Sequence, residues 1–118
     1  MTVGRLHLQS GNNEEALKLF EEAIGKEPQN AIAWGGKGVA LVNLGKYQEA
    51  IDCFDKAIQL DPGYANAHNN LAVIYLTQRP PLVELARWHY QKALAAGQPR
   101  NAELEKMLDA QKSAGNGQ

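Results

Sequence analysis

Cysteine is nearly absent from this chain: one thiol, Cys53, stands among 118 residues. An internal disulfide and a thiolate-based zinc site are therefore excluded. An excess of charge of one sign is also missing. Twelve Lys and Arg face 13 Asp and Glu, dispersed along the chain, for a formal net charge of −1. Without a basic stripe there is nothing to neutralise a phosphate backbone, so no nucleic-acid partner is expected. No apolar run approaches the roughly 20 residues that cross a bilayer, so no membrane insertion is expected. The opening MTVGRLHLQSGNNEE lacks the apolar core of a signal peptide. With the lone thiol, this tips the expected compartment towards a reducing cytoplasm.

Chemistry-bearing side chains are sparse too. His7, His68 and His89 form no pair at H-x-x-x-H spacing, and no glycine-rich segment follows a strand-like run. Cys53 lies mid-helix before Phe54 and reads as a small, half-buried apolar group. With no nucleophile, base and orienting group in view, neither a cofactor nor catalysis is expected, and the protein is read as a non-enzyme.

What the chain does have is a period. Pro28 and Pro62 lie 34 apart, as do Ala16 and Ala50, Phe20 and Phe54, Gly11 and Gly45, and Trp34 and His68. Ala86, Tyr90 and Ala93 fall 36 beyond Ala50, Phe54 and Ala57, which places a two-residue insertion at the turn containing Pro80-Pro81. A fixed period of this size marks a solenoid of one repeated supersecondary unit. The most complete copy runs from Ala31 to Asp61. It reads W-x-x-K-G-x-x-L from Trp34 to Leu41, then A-x-x-x-F from Ala50, then Pro62. The next reads H-x-x-L-A-x-x-Y from His68 to Tyr75, then A-x-x-x-Y from Ala86.

These residues resemble the tetratricopeptide repeat, W-x-x-L-G-x-x-Y followed by A-x-x-x-F and proline. The resemblance covers nearly the whole chain. It implies an all-α fold, an α-α superhelix of about three helix-turn-helix repeats plus a C-terminal capping helix. Repeat 1 is truncated (about 1–30), repeat 2 covers 31–64, repeat 3 covers 65–100 and the cap covers 101–112, in a single domain; 113–118 is read as a disordered tail.

Seven helices are predicted: Thr2–Ser10, Glu14–Lys26, Ala31–Leu44, Tyr47–Leu60, Tyr64 to about Gln78, Leu82–Ala96 and Asn101–Lys112. Asn12 or Asn13 and Asn30 suit N-caps. A proline suits the start of the helix from Leu82, and Gly97 suits its C-terminal end. Gly35, Gly36 and Gly38 cost the helix from Ala31 roughly 1 kcal/mol each against alanine. Gly38 has a packing reason. Gly35 and Gly36 either leave a gap in the wall or relieve crowding between helices. Lys37 stands where the family prefers leucine, its stem over apolar surface and its ammonium in water.

The resemblance also implies which side chains face inward. They are Thr2, Arg5 and Gln9, then Ile32, Gly35, Gly36, Val39 and Asn43, then Asn66, Asn69, Asn70 and Val73. Asn66, Asn69 and Asn70 share one face at i, i+3 and i+4. Their amides match the N–H and C=O groups of an extended peptide without using charge. The expected function is a protein-interaction scaffold that takes an extended or helical peptide in this groove. Arg5, Gly35, Gly36, Val39, Asn43, Asn66, Asn69, Asn70 and Val73 form the expected site.

Co-chaperones of the family clamp acidic C-termini with Lys, Asn, Asn, Lys and Arg. Four of those positions fall here on Thr2, Gly36, Asn66 and Asn70, so the clamp's cations are missing. The alternative is a self-assembling module, a homo-oligomer formed through the open edge at Leu17, Phe20 and Ile24. Trp88 is a further anchor candidate, with packing under the Pro80-Pro81 turn as its other reading.

Overall fold

The computed structural model describes residues 12–116, with side chains through Ala110. Among these residues there are six helices and no strand. They are α1 (Asn13–Lys26), α2 (Ala31–Asn43), α3 (Tyr47–Leu60), α4 (Ala65–Thr77), α5 (Val83–Ala95) and α6 (Ala102–Asn116). α2 pairs with α3 and α4 with α5, while α1 packs on α2, α3 on α4, and α6 on α4 and α5. Extents of 50 × 25 × 22 Å fit a stack rather than a ball. The expected opening helix, Thr2–Ser10, lies outside the described residues.

Local chemistry sets the ends of the helices. Asn30 caps α2, its Oδ1 accepting from the Ala33 N–H at 3.2 Å. Asn12 takes the cap position of α1 but its side chain makes no capping bond. Gly45 (φ +79°) ends α2 and Gly97 (φ +102°) ends α5, both in the left-handed region that glycine enters without strain. At the first, Lys46 N donates to Leu41 O (2.9 Å) and Gly45 N to Val42 O (2.9 Å). At the second, Gln98 N donates to Ala93 O (3.0 Å) and Gly97 N to Leu94 O (3.1 Å). Each is the paired 6→1 and 5→2 ending that returns carbonyls to hydrogen bonds.

Most helix ends fall within one residue of expectation, and two differences bear on the connections. α5 starts at Val83 with Leu82 in the cap position, so the prolines precede the helix instead of opening it. The bond from Leu82 N to Tyr75 O (2.9 Å) closes this longer connection. α6 continues past Lys112 to Asn116, where a disordered tail was expected. No proline interrupts the segment, and Leu104 and Leu108 anchor the helix in the core behind it.

The core is continuous through the stack. Leu41, Ile51, Phe54, Leu71 and Ile74 join α2, α3 and α4. Ala72, Leu76, Ala86, Tyr90, Leu104 and Leu108 join α4, α5 and α6. Ala16, Phe20 and Ala40 join α1 to α2. Three rings explain the glycines of α2. A Cβ on Gly36 would enter the ring of Phe20, one on Gly35 the ring of Tyr64 and one on Gly38 the ring of Phe54. The propensity lost in α2 is exchanged for close ring-on-backbone packing.

Candidate functional site

The expected inward face lies on α2 and α4. On α2, Ile32 is 58 % exposed, Val39 is half-buried against the central core, and Asn43 is exposed. Asn43 Nδ2 donates to Asn13 Oδ1 of α1 at 3.0 Å. On α4, Asn66 is exposed, Asn69 and Asn70 are half-buried, and Val73 is 37 % exposed. Arg5, with Thr2 and Gln9, lies outside the described residues.

The gap expected at Gly35 and Gly36 is not there. Tyr64 and Phe20 fill the space that their missing side chains leave, so the two glycines serve packing instead of opening a pocket.

Asn70 Nδ2 donates to Asn66 Oδ1 at 2.7 Å, one turn along α4. Each side chain thereby spends one group on the other. Asn66 keeps its Nδ2 donors and Asn70 its Oδ1 acceptor, the two functions that a peptide group requires. Asn66 does not cap its own helix: Tyr64 occupies that position. The Asn69 Oδ1 is shut away from solvent and has no hydrogen-bond partner. None of the inward residues described on α2 and α4 is charged.

The edge at Leu17, Phe20 and Ile24 is less open than expected. Phe20 is 2 % exposed, its ring seated on Gly36, and Leu17 and Ile24 are half-buried. The Lys37 ammonium lies over the Trp34 ring, its Nζ 5.7 Å from the ring centroid, and 3.6 Å from Glu21 Oε2. With Trp34, Leu41 and Cys53 it lines a cavity of about 390 Å³ between α1 and α3. Burial pushes the Cys53 thiol up, ahead of the opposing pull of Lys37, and the inert reading of this cysteine follows.

One arrangement escaped the sequence reading. His68 (2 % exposed) and His89 (7 % exposed) meet with Nδ1 to Nδ1 at 2.9 Å, and His68 Nε2 lies 2.9 Å from the Pro62 carbonyl oxygen. The rings found against Trp88 are those of His68 and His89, and the residue stays 49 % exposed. Counting 36 back from His89 gives Cys53, and 34 back from His68 gives Trp34. That both positions of one helix pair become histidine was the available signal.

A stack of helix pairs of this kind defines a helical-repeat module. The chain belongs to the tetratricopeptide repeat family, whose sequence profile matches residues 3–65 and 40–102. It is 34 % identical over 111 residues to the TPR repeat-containing thioredoxin TTL4 of Arabidopsis thaliana, covering 93 % of this chain and 16 % of that protein. It is 30 % identical over 112 residues to the Hsp70-Hsp90 organizing protein of Triticum aestivum, covering 94 % and 19 %. The chain thus spans less than a fifth of either relative. Among solved structures, the first TPR of Spaghetti (RPAP3) bound to HSP90 peptide SRMEEVD superposes with a TM-score of 0.81 at 21 % identity, over 96 % of this chain and 87 % of that one. The Sgt2 TPR domain of Aspergillus fumigatus gives 0.79 at 20 %, over 96 % and 74 %. At these identities the structural likeness speaks for the fold. Among the described residues, no helix is long and apolar enough to cross a membrane.

Proposed function

We propose that this chain is a non-enzymatic protein-interaction scaffold that holds an uncharged stretch of peptide against α2 and α4. The observation that carries the reading is the Asn66–Asn70 pair: two bonded amides on a groove face, with one donor group and one acceptor left over. Beside it, Ile32, Val39 and Val73 supply the apolar surface that an aliphatic side chain needs. A solved neighbour of the same fold holds an HSP90 peptide, which supports peptide recognition in general. The acidic end of that peptide finds no counterpart here, because Gly36 and the two asparagines stand where the clamp of the family places polar and cationic groups.

Peptide-display selection on the purified chain tests this, with Asn66→Ala/Asn70→Ala as the counter-screen. Peptides that enrich on the parent and are lost on the double variant support the groove. Enrichment that ignores the substitutions rejects it. Self-association through Leu17, Phe20 and Ile24 is the second reading, with less to stand on because the Phe20 ring is engaged with Gly36. Light scattering over a concentration series separates the two.

A further inference from the structure

Repeat 3 differs from repeat 2 at two positions that touch. Where repeat 2 has Trp34 and Cys53, repeat 3 has His68 and His89. The first exchange keeps a hydrogen bond. Trp34 Nε1 donates to the Pro28 carbonyl at 2.8 Å, and His68 Nε2 reaches the Pro62 carbonyl at 2.9 Å. Indole carries nothing more to offer, whereas imidazole has a second nitrogen, and His89 meets it.

The tautomers follow from one fact: a carbonyl oxygen only accepts. His68 must hold its proton on Nε2, so its Nδ1 presents a lone pair, and His89 must then donate from Nδ1. One added proton can be carried by reversing the central bond, with His68 donating and His89 moving its proton to Nε2. A second proton cannot be carried. Both Nδ1 atoms would then be N–H groups 2.9 Å apart, on two cations that are almost wholly buried.

We propose that His68 and His89 form an acid-operated release between α4 and α5, in which full protonation parts the two imidazoles and loosens α4 from its partner helix. α4 carries Asn66, Asn70 and Val73, so the release would lower peptide affinity; that consequence rests on the groove reading, and the release itself does not.

The surroundings offer little to steady the charged pair. From α4, Tyr75 stacks on His89 at 5.7 Å, and its hydroxyl is pushed up by burial and then by Asp55 and Asp52 of α3. From α5, Trp88 abuts both histidines and Lys92 lies 5.2 Å from the Trp88 ring. From α6, Glu105 is taken by Tyr90 and Arg100. No ion pair among the described residues includes either histidine.

Burial first, and the neighbouring His68 second, lower the His89 imidazole from 6.5 to about 4. Between those values the unfolded chain binds more protons than the folded one. Stability is therefore complete above about 6.5 and is lost as pH falls towards 4.

The test is thermal melting of the full chain at neutral pH and near pH 4.5, for the parent, His89→Asn and His68→Trp/His89→Cys. Asn at 89 keeps a donor facing His68 and cannot take a proton; the double variant copies the pair of repeat 2. The parent should lose at least about 5 °C more on acidification than either variant. Equal losses in all three overturn the release. Nitrogen-15 NMR of the parent supplies a reading that needs no variant. At neutral pH it should find His68 protonated on Nε2 and His89 on Nδ1, with α4 amides shifting as the second proton binds. The opposite tautomers, or titration without any response in α4, overturn it equally. Binding of a selected peptide at both pH values then reports the link to the groove. The release can stand while the groove fails, since the Asn66→Ala/Asn70→Ala counter-screen is run at neutral pH alone.

Discussion

The ring of Phe20 occupies the place where a side chain on Gly36 would begin. That contact sets the distance between α1 and α2. Overpacking costs typically ~1–3 kcal/mol, against a gain of ~1 kcal/mol from the helix propensity of alanine. Gly36→Ala should therefore destabilise the chain by up to ~2 kcal/mol in urea unfolding. Gly25, in α1, has open space around it. Gly25→Ala should raise stability by a few tenths to ~1 kcal/mol, and the opposite signs form the check.

Trp34 and His68 satisfy the same proline carbonyl in successive repeats, but only His68 has a second partner. Trp34→Phe should cost ~0.5–1.5 kcal/mol, the worth of one hydrogen bond. His68→Phe leaves the His89 donor buried without an acceptor as well, so it should cost ~1–3 kcal/mol more. Chemical denaturation of the two variants measures the difference.

The Tyr90 hydroxyl donates to Glu105 Oε2 (2.6 Å) and accepts from the Asn101 N–H (2.9 Å), which ties α5 to the start of α6. Tyr90→Phe should cost ~1–3 kcal/mol and raise amide exchange in α6 ahead of the other helices. Arg100 foremost, then Tyr90, holds the Glu105 carboxyl below its ordinary range. The contribution of this link is present above the ordinary carboxylate range and fades as pH falls below it. Exchange protection in α6 should therefore weaken with acid in the parent and respond less in Glu105→Gln.

A peptide held by amides and aliphatic surface should be nearly indifferent to salt. Between roughly 0.05 and 0.5 M NaCl, where screening strengthens about threefold in length, its affinity should change less than about twofold. A steep decline in fluorescence polarisation titrations would mean that charges outside α2 and α4 carry the binding.

Most of the stack was legible because its signals are local. The 34-residue period repeats one local pattern, and Asn30 and Gly97 act within a turn of where they stand. Gly35 and Gly36 were harder, since their partners come from elsewhere in the chain: Tyr64 from the α3–α4 turn and Phe20 from α1. The histidine pair was hidden by the insertion, which moves the counterpart of Cys53 to position 89 instead of 87. That Asn66 and Asn70 share one face of α4 was readable from i, i+4 spacing. The bond that occupies the Oδ1 of Asn66 and one N–H of Asn70 required coordinates.

The connection between α4 and α5 absorbs its extra residues without passing them on. Leu82 N and Tyr75 O shut the ends together, and Ala86, Tyr90 and Ala93 return to the buried positions that Ala50, Phe54 and Ala57 hold one repeat earlier. Arg79 and Pro80 sit within the loop so closed, exposed. This is a natural port for engineering: a fluorophore-bearing or affinity-tag segment spliced between them would ride on the module, leaving the register of both neighbouring helices as it is.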